Sequence, residues 1–340
     1  MKEAILYERL EKTQGSVKCS LCAHRCIIPN EKVGICGVRK NISGKLYSLV
    51  YGKACAVNID PIEKKPLFHY LPGTMSYSFS TVGCNFRCQN CQNWDISQVT
   101  KGEGAEIFGR DLSPEEIVES AVRTKCRSIS YTYTEPTIFM EYALDTAKLA
   151  KEKNIGNVFV SNGYMTKEAI DVIKPYLNAD NVDIKSFSDD FYKKNCGGRL
   201  QPVLDTCKEL IKNNIWVEIT TLIIPTLNDS ESELRQIAEF IKNELGEDVP
   251  WHVSRFHPDY KLLNIDATPM STIRRAREIG FEVGLHYVYA GNIPHENTEN
   301  TYCPKCKKML IERYGFEIMK NIIKDSKCPY CGFEISGVWS

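Results

Sequence analysis

The sequence predicts an α/β fold: a partial or complete (β/α) barrel of the TIM type with small cysteine-rich metal-binding modules at its two ends. A length of 340 residues exceeds an average domain but suits one barrel with appendages. From about residue 76 to 295, short β-rich runs alternate with amphipathic helical stretches, the pattern of parallel strands joined by right-handed crossovers. Most of the 15 cysteines fall into three groups with the close spacings of metal sites.

The first module spans residues 1–75. Met1–Lys12 is charged, alternates like a short helix and lacks the apolar core of an export signal. Cys19, Cys22, Cys26 and Cys36 follow at C-x2-C, C-x3-C and C-x9-C spacing, with Gly34 and Gly37 beside the last. Four thiolates complete a zinc tetrahedron, and they also suffice for an auxiliary iron–sulfur cluster. Both readings stand at this level.

Residues 76–295 form the barrel. Its expected strands are Tyr77–Thr81, Ser128–Tyr133, Asn157–Val160, Val182–Ile184, Trp216–Ile224, His252–Phe256 and Glu282–Tyr289. Helical patterns lie between them at Pro114–Lys125, Phe139–Lys153, Thr166–Tyr176, Val203–Asn213, Glu231–Leu245 and Ser271–Ile279. Ser113-Pro114-Glu115-Glu116 is a helix start, a cap followed by proline and acids. A doubly wound open sheet is the structural alternative. Residues 296–340 hold Cys303, Cys306, Cys328 and Cys331 in two C-P-x-C knuckles, a zinc-ribbon or rubredoxin-like pattern that favours zinc over a single redox iron.

Lys+Arg and Asp+Glu each number 43, so no charge excess supports extensive nucleic-acid binding. No stretch has the length of a membrane span, and thiolates held for metals fit the cytoplasm.

The chemistry centres on Cys84, Cys88 and Cys91, a C-x3-C-x2-C loop expected after the first barrel strand. A structural zinc site needs four protein ligands, so it would have to borrow a distant cysteine. A cubane iron–sulfur cluster held by three cysteines instead leaves one iron open to an exogenous ligand. Polar residues recur where the other strands end: Thr134-Glu135, Ser161-Asn162, Asp183 and Lys185, His257, and Gly291-Asn292. A barrel enzyme gathers its chemistry at those ends. Cys196, in Asn195-Cys196-Gly197-Gly198, is a further candidate for the barrel mouth.

The triplet resembles the signature of the radical SAM superfamily, and the middle region resembles the activating enzyme of pyruvate formate-lyase. Many members have an aromatic residue before the third cysteine, where Asn90 stands here. Cys19–Cys26, the run from Gly34 to Arg39, Asn58–Pro66 and Cys196-Gly197-Gly198 are most similar to the AmmeMemoRadiSam-system radical SAM enzymes. The resemblance implies a [4Fe-4S] cluster on Cys84, Cys88 and Cys91, with S-adenosyl-L-methionine on its open iron. Reductive cleavage then gives a 5′-deoxyadenosyl radical that abstracts hydrogen from a small-molecule or protein substrate. Thr134, Glu135, Ser161, Asn162, Asp183, Lys185 and His257 are the cofactor contacts it implies, and ferredoxin or flavodoxin the electron donor. The rival readings are a glycyl-radical enzyme activase, an RNA-modifying enzyme and a non-enzymatic zinc-binding scaffold.

Overall fold

The architecture is that of a computed structural model, which describes residues 1–10, 15–102, 104–291 and 297–340. One eight-stranded sheet organises the chain. Its strands are β1 (Ala56–Pro61), β2 (Met75–Ser80), β3 (Ser128–Tyr131), β4 (Gly156–Ser161), β5 (Ala179–Asp183), β6 (Trp216–Ile223), β7 (Trp251–Arg255) and β8 (Val288–Gly291). Each pairs with its neighbour in sequence, and β2 to β8 run parallel. A doubly wound sheet reverses its strand order partway, and this one does not. The order is that of a barrel left open between β1 and β8.

β1 is antiparallel to β2, pairing Ala56 with Ser80 and Pro61 with Met75. The sheet thus begins upstream of residue 76, where the barrel was expected to start. The last expected strand, Glu282–Tyr289, is displaced. The preceding helix continues to Val283, Gly284 ends it at φ +103°, and β8 begins at Val288.

Six longer helices cover the outside: α1 (Pro114–Arg123), α2 (Met140–Glu152), α3 (Lys167–Ile173), α4 (Leu200–Lys212), α5 (Glu231–Phe240) and α6 (Met270–Val283). The start of α1 is a full capping box. The Glu116 N–H donates to Ser113 Oγ at 3.2 Å, and the Ser113 N–H to Glu116 Oε2 at 2.6 Å. Along β2 the side chains alternate by face. Phe79 packs outward on Tyr131 and Tyr142, with ring centroids 5.1 Å away in both cases. Ser76, Ser78 and Ser80 occupy the opposite face and are fully buried.

The segment before β1 is β-structured. Lys2–Glu3 pairs with Lys45–Ser48, and Tyr7–Arg9 pairs with Val17–Cys19. This corrects the short helix expected at the N-terminus, because two separate hairpins recruit residues whose local pattern was helical.

The two cysteine-rich ends dock on opposite faces of the barrel. The N-terminal segment lies on the face where the strands end: the Ala23 N–H donates to the Tyr164 carbonyl at 3.0 Å, and Thr166 Oγ1 to that of Ser20 at 2.7 Å. A buried ion pair fixes it, with Arg39 Nη1 at 2.8 Å from Glu141 Oε1 and both side chains at most 2% exposed. The C-terminal segment packs where the strands begin. Its three-stranded sheet buries Leu310 and Ile311 against Phe68, Tyr287 and Tyr289. The Leu71 and Val338 main chains bond at 2.7 Å. Glu218, buried near the start of β6, accepts from the Phe68 and His69 N–H groups and from His252 Nε2 at 2.7–2.9 Å. No helix among the described residues is long and apolar enough to cross a membrane.

Candidate active site

The triplet loop leaves β2 at Ser80 and is held from several sides. The Arg87 and Gln89 N–H groups donate to the carbonyls of Cys196 and Asn195 at 2.8 and 3.0 Å. Gln98 Nε2 and Lys101 Nζ both donate to the Phe86 carbonyl. Gly198 lets the loop settle, since a Cβ there would lie 2.4 Å from the Phe86 ring. Asn90 is engaged as well, accepting from Asn195 Nδ2 at 3.0 Å. The loop is thus shaped by contacts reaching more than 100 residues along the chain.

Two of the three thiols receive main-chain N–H groups. The Phe86 N–H points at Cys84 Sγ, 3.3 Å away, and the Asn93 N–H is directed at Cys91. Such donors two residues after a cysteine stabilise a thiolate. As free thiols, Cys84 and Cys91 are pushed up by burial, and Cys88 by the adjoining Cys196 thiol and then burial. A bound metal would restore the anions, because a coordinating thiol is deprotonated outright.

Asn162, at the end of β4, joins the triplet. Its Nδ2 donates to Asn85 Oδ1 at 2.7 Å and lies 3.9 Å from Cys84 Sγ. Lys185 and Asp183 form an ion pair at 2.7 Å, half-buried and within electrostatic reach of Cys88. Glu135 is buried, with Oε1 accepting from Thr137 and Oε2 from the Asn162 N–H at 2.8 Å. It shapes the loops after β3 and β4, and burial raises its pKa above the ordinary carboxylate value. Thr134 Oγ1 donates to the Thr81 carbonyl at 2.8 Å.

Ser161 shares its face with Phe159, which packs on Tyr131, so it points to the helix layer. There its Oγ donates to Asp180 Oδ2 at 3.0 Å. His257 is exposed on the loop after β7. Asn292 lies outside the described residues.

Cys196, the further candidate for the barrel mouth, is fully buried and lies against Cys88 of the triplet loop. Sequence reading missed one residue. Lys101, 10 residues after the triplet, lies within electrostatic reach of all three of its cysteines and of Cys36. No spacing rule marks a lysine that returns by a loop.

Elsewhere, Cys303, Cys306, Cys328 and Cys331 bring their sulfurs within 4.8 Å of one another. The Lys308 N–H draws the Cys306 thiol down to about 7. Among the described residues no other group of three or more His, Cys, Asp or Glu ligands is drawn so tightly.

A strand-end loop with three thiols, on an open barrel of sequential parallel strands, defines an enzyme class, and comparison with known proteins agrees. The profile of the Radical SAM superfamily matches residues 78–241. The chain belongs to this superfamily and is an enzyme of that class. It is 48% identical over 337 residues to the Methanocaldococcus jannaschii protein MJ0808, itself uncharacterized, covering 98% of this chain and 99% of that one. It is 29% identical over 201 residues to the pyruvate formate-lyase-activating enzyme of Clostridium pasteurianum, covering 54% of this chain and 81% of that one. Among solved structures, a radical SAM methyltransferase from Sphaerobacter thermophilus shares the fold. The TM-score is 0.50 at 16% identity, over 66% of this chain and 68% of that one.

Membership implies a [4Fe-4S] cluster and S-adenosyl-L-methionine, and the donor set fits. Three thiols, two of them with N–H groups directed at them, stand in one loop, and an ion pair of opposite charges lies beside it.

Proposed function

We propose that this enzyme binds a [4Fe-4S] cluster through Cys84, Cys88 and Cys91 and uses it to cleave S-adenosyl-L-methionine reductively, abstracting hydrogen from its substrate. When bound, the cluster supplies one electron to the sulfonium, and the products are methionine and a 5′-deoxyadenosyl radical. The observation that carries the reading is the Asp183–Lys185 pair beside a three-thiol loop. An amino acid's ammonium and carboxylate require one anion and one cation at close quarters, and a half-buried ion pair offers both. On this reading Asp183 takes the ammonium and Lys185 the carboxylate. Asn162 contacts the ligand with its amide, and Glu135 positions Asn162 through the main chain. Thr134, Ser161 and His257 complete the proposed set, Ser161 acting through Asp180 and the turn that follows it.

The C-terminal four thiols are assigned to structural zinc, supported by their single-ion spacing and their place at the strand-start face, which serves stability in barrels. A low-potential donor of the ferredoxin or flavodoxin class would supply electrons, in a cytoplasmic setting. Relatives named as pyruvate formate-lyase and glycyl-radical enzyme activating enzymes favour a second reading, in which the substrate is a glycine of a partner protein.

The test is anaerobic purification, reconstitution with iron and sulfide, and assay of 5′-deoxyadenosine formed from S-adenosyl-L-methionine with dithionite. Wild type is expected to form it, and Cys88→Ala is not. Equal product from both would overturn the reading. A glycyl radical signal on an added partner would select the activase.

A further inference from the structure

We infer that Cys19, Cys22, Cys26 and Cys36 hold a second polynuclear iron–sulfur cluster, seated directly against the triplet loop. Antiparallel pairing of Val17–Cys19 with Ile27–Ile28 sets Cys19 opposite Cys26, whose carbonyl accepts from the Cys19 N–H at 2.9 Å. Gly34 brings its turn over Cys26, and a Cβ there would lie 3.7 Å from Cys26 Sγ. All four thiols are within electrostatic reach of one another. They are gathered, and three have main-chain N–H groups directed at them: His24 at Cys22, Ile35 at Cys26 and Val38 at Cys36. Two of these donors stand two residues after their cysteine, as Phe86 and Asn93 do in the triplet loop.

Spacing selects the metal. The C-terminal four close to within 4.8 Å, as ligands of a single tetrahedral ion must. Neither the N-terminal four nor the triplet does, although both sets are gathered. Thiols held further apart suit a cluster that carries its ligands on separate irons.

Charge supports a thiolate-ligated centre at this place. Arg39 is 2% exposed, within electrostatic reach of Cys19 and Cys36, and its Nε finds no acceptor among the described residues. Lys101 lies within electrostatic reach of both Cys36 and the triplet. Lys101, with Arg39 already paired to Glu141, offsets part of the negative charge of a thiolate-ligated centre, which burial would otherwise penalise.

The second site also touches the first. A Cβ on Gly83, next to Cys84, would lie 3.0 Å from the Cys36 carbonyl oxygen. His24, between Cys22 and Cys26, packs on Tyr164 at 4.8 Å, and Tyr164 packs on Phe86 at 4.8 Å. Aromatic rings and one layer of backbone separate the two groups, so two reduced clusters here would couple magnetically.

The experiment is iron, inorganic sulfide and zinc analysis of anaerobically reconstituted protein, with EPR after reduction. The unaltered chain is expected to carry about eight irons and eight sulfides, with an EPR signal broadened by coupling. The Cys84→Ala/Cys88→Ala/Cys91→Ala variant should keep about four of each and a narrower cubane signal. Adding Cys22→Ser and Cys36→Ser should remove them while the zinc content stays the same. Two zincs per unaltered chain with about four sulfides, or a triplet variant without sulfide, would overturn the inference and leave the proposed reaction intact. The opposite failure is separate: an unaltered chain with only about four sulfides, all of them retained in the triplet variant, would overturn the proposed reaction alone.

Discussion

Replacing Gly83 by alanine measures how tightly the two cysteine loops are pressed together. Gly83 has φ +99°, and an added Cβ would lie 2.6 Å from Val38 Cγ1. A left-handed backbone costs a non-glycine residue about 1–2 kcal/mol. Overlap in a packed interior adds about 1–3 kcal/mol. Gly52 separates the two contributions, because it has φ +72° but nothing within 4 Å of an added Cβ. Gly52→Ala should therefore cost about 1–2 kcal/mol and Gly83→Ala about 2–5 kcal/mol. With an unfolding entropy of about 2.1 cal/mol/K per residue, a chain this long changes Tm by roughly 1 °C for each 0.7 kcal/mol. A loss of about 3 kcal/mol is then about 4 °C in anaerobic calorimetry. Val38→Ala in the Gly83→Ala background should restore part of the loss, since the carbonyl contact with Cys36 remains. Equal melting shifts for the two glycine variants would refute the close packing.

Three other outcomes are expected. Glu141→Leu should cost about 3–5 kcal/mol by stranding the buried Arg39 guanidinium, whereas Arg39→Met/Glu141→Leu should recover most of it in thermal melts. Burial pushes the His69 imidazole down to about 4, so the unfolded chain binds the extra proton between that value and the ordinary one. His69 therefore contributes stability above about pH 6.5 that is lost as the pH falls toward 4, up to roughly 3 kcal/mol. His69→Gln should flatten that part of the melting-temperature profile. Cys328→Ser should release one metal per chain and raise hydrogen exchange in Met309–Tyr314 and Glu317–Asn321, leaving the triplet's iron in place.

The barrel was readable because its strand and helix periods differ and alternate cleanly from Ser76 to Gly291. The capping box at Ser113 is a local signal and needed no tertiary information. What was not readable is what tertiary contact decides. Lys2–Glu3 and Tyr7–Arg9 are strands only because distant segments pair with them. Likewise β1 was not expected as a strand, and it carries the polar Asn58 and Asp60. Asp60 takes Lys64, Lys65 and the Tyr133 hydroxyl, and these partners outweigh burial and hold its carboxyl well below the usual range. At the site, the cysteines followed from spacing alone. The orientation of Ser161 did not, because a strand-end serine can face the barrel or the helices, and the pleat decides.

The docking of the C-terminal segment has a consequence for how the chain is made. His69 Nδ1 bonds the Ser336 carbonyl at 2.7 Å, across 267 positions of sequence. During vectorial synthesis, residues 68–71 and the start of β6 emerge long before that partner exists. Phe68, Tyr287 and Tyr289 then form a sticky, half-built floor until residue 338 has left the ribosome. Their cover is also a non-local contact, of the kind that slows folding. A nascent chain stalled before Cys328 would offer that floor to chaperones, and metal capture by the last knuckle would time its closure.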